Sequence, residues 1–195
     1  MQPVTTITGT MVPLDRADID TDQIMPKQYL KRVERTGFGE FVFADWRDDP
    51  AFVLNDERYA GANVLVTGPN FGSGSSREHA PWGLQQYGFA AVIAPSFADI
   101  FRNNCAKIGL LTIALPAQRC KELITLATAQ PDAGVRIDLP DQAVVTARGT
   151  EHFDIDAHTK HLLVEGLDSI DLTLARADDI TDYEATRPAF MPVAG

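Results

Sequence analysis

The chain has 195 residues, 45% of them hydrophobic, and carries 17 Lys and Arg against 27 Asp and Glu for a formal net charge of −10. That length can bury one good core, while the acidic balance repels phosphate backbones and anionic lipid, so neither a nucleic acid nor a membrane is an expected partner. No Pro/Gly/Ser-rich or charge-rich linker divides the sequence, which predicts one domain over residues 1–195. No apolar run reaches the roughly 18–20 residues of a membrane span, and the opening MQPVTTITGTMVPLDRADID lacks the basic start and apolar core of a secretory signal. A cytoplasmic protein is expected. Cys105 and Cys120 are too few and too far apart for a disulfide framework or for a thiolate-held zinc or iron–sulfur site, so no metal is expected in this chain.

VTTITGTMVPL alternates as a strand does, and DRADIDTDQIMPKQYL, with acidic residues, a proline and no clear period, predicts an ordered loop. In RTGFGEFVFADWR the pair Gly37 and Gly39 precedes Phe41, Val42 and Phe43, predicting a bend into a short apolar strand or anchor. NVLVTG predicts a buried strand, SSREHAPWGLQQYG a helix stopped by Gly88, and FAAVIAP a second buried strand. Strand, helix and strand within about thirty residues form a βαβ unit with parallel strands. SFADIFRNNCAKIG predicts a second helix ending at Gly109, and LLTIALP a third buried strand, so the fold class is α/β. Beyond these, AQRCKELITLATAQ predicts a helix, VRIDLPDQAVVTARGTEHFDID short strands around turns, and LDSIDLTLARADDITDYEATRP helix to the end. Thr181 and Glu184 in that tail are spaced as a capping box, which predicts a local helix start.

The bend between the first buried strand and its helix carries the chemistry. Gly68, Gly72 and Gly74 allow close backbone approach, so amide N–H groups can face one point where the next helix begins, a geometry suited to an anion. A dinucleotide fingerprint requires a third glycine where Arg77 stands, and a phosphate loop requires a Gly-Lys-Ser/Thr that does not follow Gly68. Ser75, Ser76 and Arg77 remain, beside a helix start. Arg77 can grip a carboxylate with two parallel hydrogen bonds, and the helix end favours negative charge on a serine oxygen. A carboxylic acid therefore suits the bend better than a phosphate. The plain structural alternative is an N-cap serine followed by a surface arginine, and a different functional class is a non-catalytic anion- or nucleotide-binding module.

GPNFGSGSSREHAPWGL together with FRNNCAKIGLL resembles the swivelling domain of the aconitase superfamily. From DIDTDQIMPKQYLKR through RTGFGEFVFADWR to DDITDYEATRP, the chain resembles the small-subunit family of bacterial isopropylmalate isomerases (3-isopropylmalate dehydratases). The resemblance implies a single-domain β/β/α swivelling fold and a hydro-lyase that interconverts 2- and 3-isopropylmalate through isopropylmaleate in leucine biosynthesis. In that family the first serine of the Gly-Ser-Ser-Arg core acts as an alkoxide on the proton α to a carboxylate, and the next serine and the arginine bind substrate. Carried over, Ser75 is catalytic and Ser76 and Arg77 are substrate-binding. The family keeps a [4Fe–4S] cluster in a separate large subunit, which implies that partner here and an active site formed between two chains around a small dicarboxylate.

The resemblance also implies that residues 26–39 lie over the substrate and select its γ-substituent. Leu30 would face the isopropyl group, flanked by Tyr29, Lys31 and Arg32, and an apolar contact of that size discriminates by roughly 1–3 kcal/mol. Lys31, Arg32 and Arg35 form a basic cluster that could attract a dicarboxylate or pair with the large subunit. Related hydro-lyases acting on citraconate, methylmalate or homoaconitate are the nearest alternative; leucine at position 30 favours the apolar substrate. Asp20, Thr21 and Asp22 match a family signature near the site, where they could position Arg77 or cap the loop, with no chemical role assigned. His79 is expected to hold the turn by hydrogen bonding, and Cys105 to be a small buried group. His152, His158 and His161, among Asp154 and Asp156, lack ligand spacing and predict a polar surface.

Overall fold

A computed structural model describes residues 1–31 and 35–188. Strand β1 (Thr6–Leu14) opens the chain and is followed by helix α1 (Thr21–Ile24), 3-10 turns at Lys27–Lys31 and Gly39–Phe41, and helix α2 (Ala44–Arg47). The βαβ unit is β2 (Val64–Thr67), α3 (His79–Tyr87) and β3 (Ala91–Ala94); α4 (Asp99–Ile108), β4 (Leu111–Ala114) and α5 (Ala117–Ala129) continue it. Then come β5 (Gly134–Asp138), β6 (Ala143–Thr146), β7 (Gly149–His152) and helices α6 (Ala157–Glu165), α7 (Ser169–Leu174) and α8 (Ala177–Thr186). Among the described residues, no helix is long and apolar enough to cross a membrane.

The strands form one mixed sheet in the order β4-β3-β2-β1-β5-β6-β7. β1 to β4 run parallel, with Met11 opposite Val64, Val64 opposite Ala91 and Ala91 opposite Leu111. On its other edge β1 pairs antiparallel with β5, and the meander β5-β6-β7 completes the sheet. Side chains alternate across the parallel half, as the two-residue period of a strand requires. Val64, Val66, Ala91, Ile93, Leu111 and Ile113 enter one core with Leu123, Leu126 and Ala127 of α5. Leu65, Val92 and Ala94 enter the other with Leu84 of α3, Phe101 and Cys105 of α4, and the aromatics Phe38, Phe43 and Phe71. A sheet covered on both faces needs apolar residues at successive positions, which is why these strands are short unbroken apolar runs.

Four local expectations change. DRADIDTDQIMPKQYL contains a true helix, α1, because Asp20 accepts the Gln23 amide at 2.7 Å while the Gln23 side chain accepts the Asp20 amide at 2.9 Å, a complete capping box. RTGFGEFVFADWR makes no strand. It is an anchor, with Phe38, Val42 and Phe43 fully buried and Phe43 turned into the left-handed region at φ 53°. Helix α3 begins at His79 with Glu78 at its cap position, four residues later than Ser75. Thr181 caps nothing: α8 starts at Ala177, and the Thr181 hydroxyl donates back to the Ala177 carbonyl at 2.9 Å inside the helix.

Candidate active site

β1, β2 and β3 are parallel neighbours, so the loops leaving them emerge at one end of the sheet, the carboxyl end where open α/β sheets bind ligands. Backbone hydrogen bonds stitch these three loops together. The Gly68 amide donates to Arg16 at 3.0 Å and the Asp18 amide to Pro69 at 2.9 Å, joining the β1 and β2 loops. Phe71 donates to Ser96 and Ala98 to Phe71, each at 3.1 Å, joining the β2 and β3 loops. Within the bend, the Gly72 amide reaches the Ile19 carbonyl at 2.7 Å, and the Thr21 amide reaches the Ser73 carbonyl at 2.9 Å. Gly72 and Gly74 sit at φ 76° and 89°, a region that L-residues avoid, and a Cβ on Gly72 would fall inside the Phe101 ring. The glycines are thus required by the backbone path.

That path delivers Ser75, Ser76 and Arg77 to one place. Both serines are exposed, and the backbone of Ser75 is held from below by Thr21, whose buried hydroxyl donates to the Ser75 carbonyl at 2.9 Å. Arg77 is mostly covered, with its side chain 19% exposed, and its Nη1 donates to Asp22 Oδ1. The acidic signature therefore does both things expected of it: Asp20 caps α1 and Asp22 orients the guanidinium. The helix-end support expected for a serine anion is revised, since Ser75 precedes the first turn of α3 and the helix dipole acts mainly within that turn. The nearest fixed positive group along the chain is Arg77. Pro81 explains the late start: a helix running from Ser75 would need the amide hydrogen that Pro81 lacks and would drive its ring into the Arg77 carbonyl, whereas the first turn tolerates proline.

The residues expected to form the substrate loop follow α1, and their returning limb at Arg35 and Phe38 is tied to α3. Tyr29 stacks on Phe41 with ring centroids 4.1 Å apart, and Leu30 is half-buried against the aromatic core. Lys31 is exposed at the end of its 3-10 turn, and Arg32 lies outside the described residues. Arg35 has its guanidinium 5.5 Å from the Trp82 ring centroid. Gln86 of α3, which the sequence did not single out, accepts the Phe38 amide at 2.8 Å and donates to the Arg35 carbonyl at 2.8 Å, pinning the returning limb of the loop to α3. Among the described residues, the His79 side chain makes no hydrogen bond of the kind expected of it. Its ring sits edge-on to Phe38 at 5.2 Å and against Trp82 at 5.0 Å, and burial, opposed by Glu78 and reinforced by Arg77, lowers its pKa.

The two cysteines do not fit a resident iron–sulfur cluster. Cys105 is buried within α4 and Cys120 within α5, and burial pushes the Cys105 thiol well up and the Cys120 thiol to about 11, opposite to what a thiolate ligand needs. Among the described residues, no group of three or more His, Cys, Asp or Glu is arranged to hold a metal ion. Asp156 caps α6 through the Thr159 amide at 2.9 Å, with His158 and His161 on that helix.

Similarity to known proteins gives the family. The family model of the aconitase C-terminal domain matches residues 1–118, and a second model, for the C-terminal domain of the 3-isopropylmalate dehydratase small subunit, matches residues 169–192. The chain is 54% identical to the 3-isopropylmalate dehydratase small subunit of Acidothermus cellulolyticus, over 98% of both chains. The chain belongs to the 3-isopropylmalate dehydratase small-subunit family. Its counterpart from Rubrobacter xylanophilus is 50% identical, again over 98% of each chain. A crystal structure of 3-isopropylmalate dehydratase from Methanocaldococcus jannaschii superposes with a TM-score of 0.64 at 26% identity, covering 92% of this chain and 99% of that one. The aconitase-type α/β architecture expected from the Gly-Ser-Ser-Arg core is therefore the family's own.

Proposed function

We propose that the chain is the proton-transferring half of a two-chain hydro-lyase, a 3-isopropylmalate dehydratase that interconverts 2- and 3-isopropylmalate through isopropylmaleate in leucine biosynthesis. The observation that carries the reading is the near full-length similarity to small subunits of that name, joined to a Ser75-Ser76-Arg77 loop presented on an open face. Ser75 takes the proton from the carbon next to a carboxylate and returns it from the same oxygen. As the C–H bond breaks, its electron pair moves toward that carboxylate, and the Arg77 fork, aimed by Asp22, holds the growing charge where a lysine's point charge would not align it. Ser76, exposed beside Ser75, hydrogen-bonds the same substrate in this reading. Leu30 supplies apolar surface for the isopropyl arm, with Tyr29, Lys31 and Arg32 around it in sequence.

Loss of the hydroxyl from the neighbouring carbon calls for a Lewis acid. The buried thiols of this chain do not fit as ligands for such a group, and the family resemblance assigns it, as a [4Fe–4S] cluster, to a large subunit that closes over the exposed serines. An exposed hydroxyl is also a weak base, and exclusion of water by a second chain is what makes nearby fixed charge effective on it. The test is iron content and hydratase activity of the purified chain, alone and mixed with the large subunit of the same organism. The account expects an iron-free, inactive chain alone and activity on mixing. Turnover by the chain alone would overturn it.

A further inference from the structure

Helices α7 and α8 are out of keeping with the rest of the fold. Neither buries a single residue, and every position from 173 to 186 is exposed. The stretch is nevertheless not polar throughout: Ile170 is 66% exposed, Leu174 64% and Ile180 41%. Ile170 and Leu174 are four apart on α7 and so share one face. Helices of this length are marginal in water unless a packed apolar face holds them, and most helical stability in proteins comes from such packing. The face that would provide it is turned outward. It is also the segment matched by the model specific to 3-isopropylmalate dehydratase small subunits, outside the region matched by the wider aconitase C-terminal domain. A sequence signature distinguishing small subunits thus falls on residues that contribute nothing to this chain's own core.

Two further observations say what covers the face. A cavity of about 700 Å³ lies among α4, α6 and the start of α7, with Asn103, Lys107, His158 and Leu172 in its wall, and Glu78, the residue after Arg77, also lines it. The start of α7 and the residue that follows Arg77 therefore line the same hollow. The charge is mainly acidic: α8 carries Asp178, Asp179, Asp182 and Glu184 with no lysine or arginine within it, and of the arginines at its two ends Arg176 pairs with Asp179 at 3.5 Å. Packing two copies face to face would bring these acidic rows together, at a cost in like-charge repulsion. A different chain with an apolar groove flanked by lysines and arginines meets both requirements.

We infer that α7 and α8 form the docking surface for the large subunit, with Ile170, Leu174 and Ile180 entering an apolar groove and the acidic residues of α8 meeting its basic rim. This rests on the two-chain reading above. The cavity beside Glu78 then receives the part of the large subunit that passes from this contact to the serine loop. The contact sets affinity while Ser75 and Arg77 set turnover, so the two are separable by substitution.

The experiment titrates the large subunit of the same organism into the full chain and into its Ile170→Ser/Leu174→Ser/Ile180→Ser variant, following complex formation by sedimentation velocity and activity in parallel. All three residues are exposed in the chain, so circular dichroism should show the core sheet unchanged. The dissociation constant should rise at least about thirty-fold, with turnover restored at saturating large subunit. A second variant, Asp178→Lys/Asp182→Lys, should also bind more weakly and lose part of the salt dependence of binding. Amide hydrogen exchange of residues 173–186 should be fast in the free chain and slowed in the complex. Unchanged affinity in both variants, with no added protection of 173–186, would remove this surface and leave the two-chain reading standing. Loss of self-association with large-subunit affinity intact would give the face to a second copy and overturn the proposal. Failure of the unaltered chain to bind the large subunit at all would defeat the two-chain reading itself.

Discussion

Replacing Gly72 with alanine tests whether the bend is held open by the packing beneath it. A Cβ at this position would lie 2.2 Å from Cγ and 2.5 Å from Cδ2 of Phe101, a buried ring set edge-on to Phe71 at 5.3 Å. The left-handed backbone costs alanine about 1 kcal/mol, and forcing a methyl group into a packed ring costs about 1–3 kcal/mol more. The expected loss is roughly 2–4 kcal/mol, which for a chain of this length lowers the melting temperature by roughly 5–15 °C. Gly74→Ala supplies the control. Its φ of 89° carries the same backbone strain, but the nearest atom to an added Cβ is Asp20 Cβ at 3.5 Å, an ordinary contact, so only about 1 kcal/mol is expected. Urea unfolding of both variants separates the terms. Equal losses for the two would show that contact with Phe101 contributes nothing and that the bend is not held open by this packing.

Two further outcomes follow from the loops around the site. Burial lowers the His79 pKa, so between its folded value and the ordinary value of about 6.5 the unfolded chain binds more protons, and this contribution to stability is full above that window and lost as pH falls through it. In urea unfolding at pH 7.5 and 5.5, wild type should therefore lose stability relative to His79→Asn as the pH drops; a constant difference would mean that the ring titrates alike in both states. Leu30→Arg, in the reconstituted enzyme, should depress efficiency toward isopropylmalate far more than toward an analogue whose γ-arm ends in a carboxylate, because a cation facing the isopropyl group has no partner there. Equal losses on both substrates would show that Leu30 does not select the γ-group.

The parallel half of the sheet was legible because burial on both faces leaves a plain mark: NVLVTG, FAAVIAP and LLTIALP are apolar runs bounded by glycine or proline. The Gly-Ser-Ser-Arg bend was legible for a related reason, since glycines that must adopt left-handed backbone can be recognised beside hydroxyls and a guanidinium. What could not be seen was the pairing of β1 with β2 on one side and β5 on the other, because strand order is set by contacts such as Met11 with Val64 and Thr6 with Asp138, far apart in the chain, that no local pattern reports. Two helix starts did leave signals in the sequence. Pro81 marks the start of α3, and the Asp20-to-Gln23 spacing marks α1, whereas the Thr181 and Glu184 pair, with the same spacing, lies in mid-helix and caps nothing. Gln86 left no signal, for a glutamine bridging two backbone segments looks like any surface glutamine until the loop is folded against it.

The central claim is that Ser75 moves the proton. Its most direct test is steady-state kinetics of Ser75→Ala in the reconstituted two-subunit enzyme, after confirming that the variant assembles and that the complex holds its full iron content. Ser75 is exposed, and its placement relies on its backbone carbonyl and Thr21, so alanine should leave the loop in place. Turnover should fall by about 10²–10⁴-fold or more with little change in apparent substrate affinity. Near-normal turnover, above all if Ser76→Ala loses it instead, would contradict the assignment.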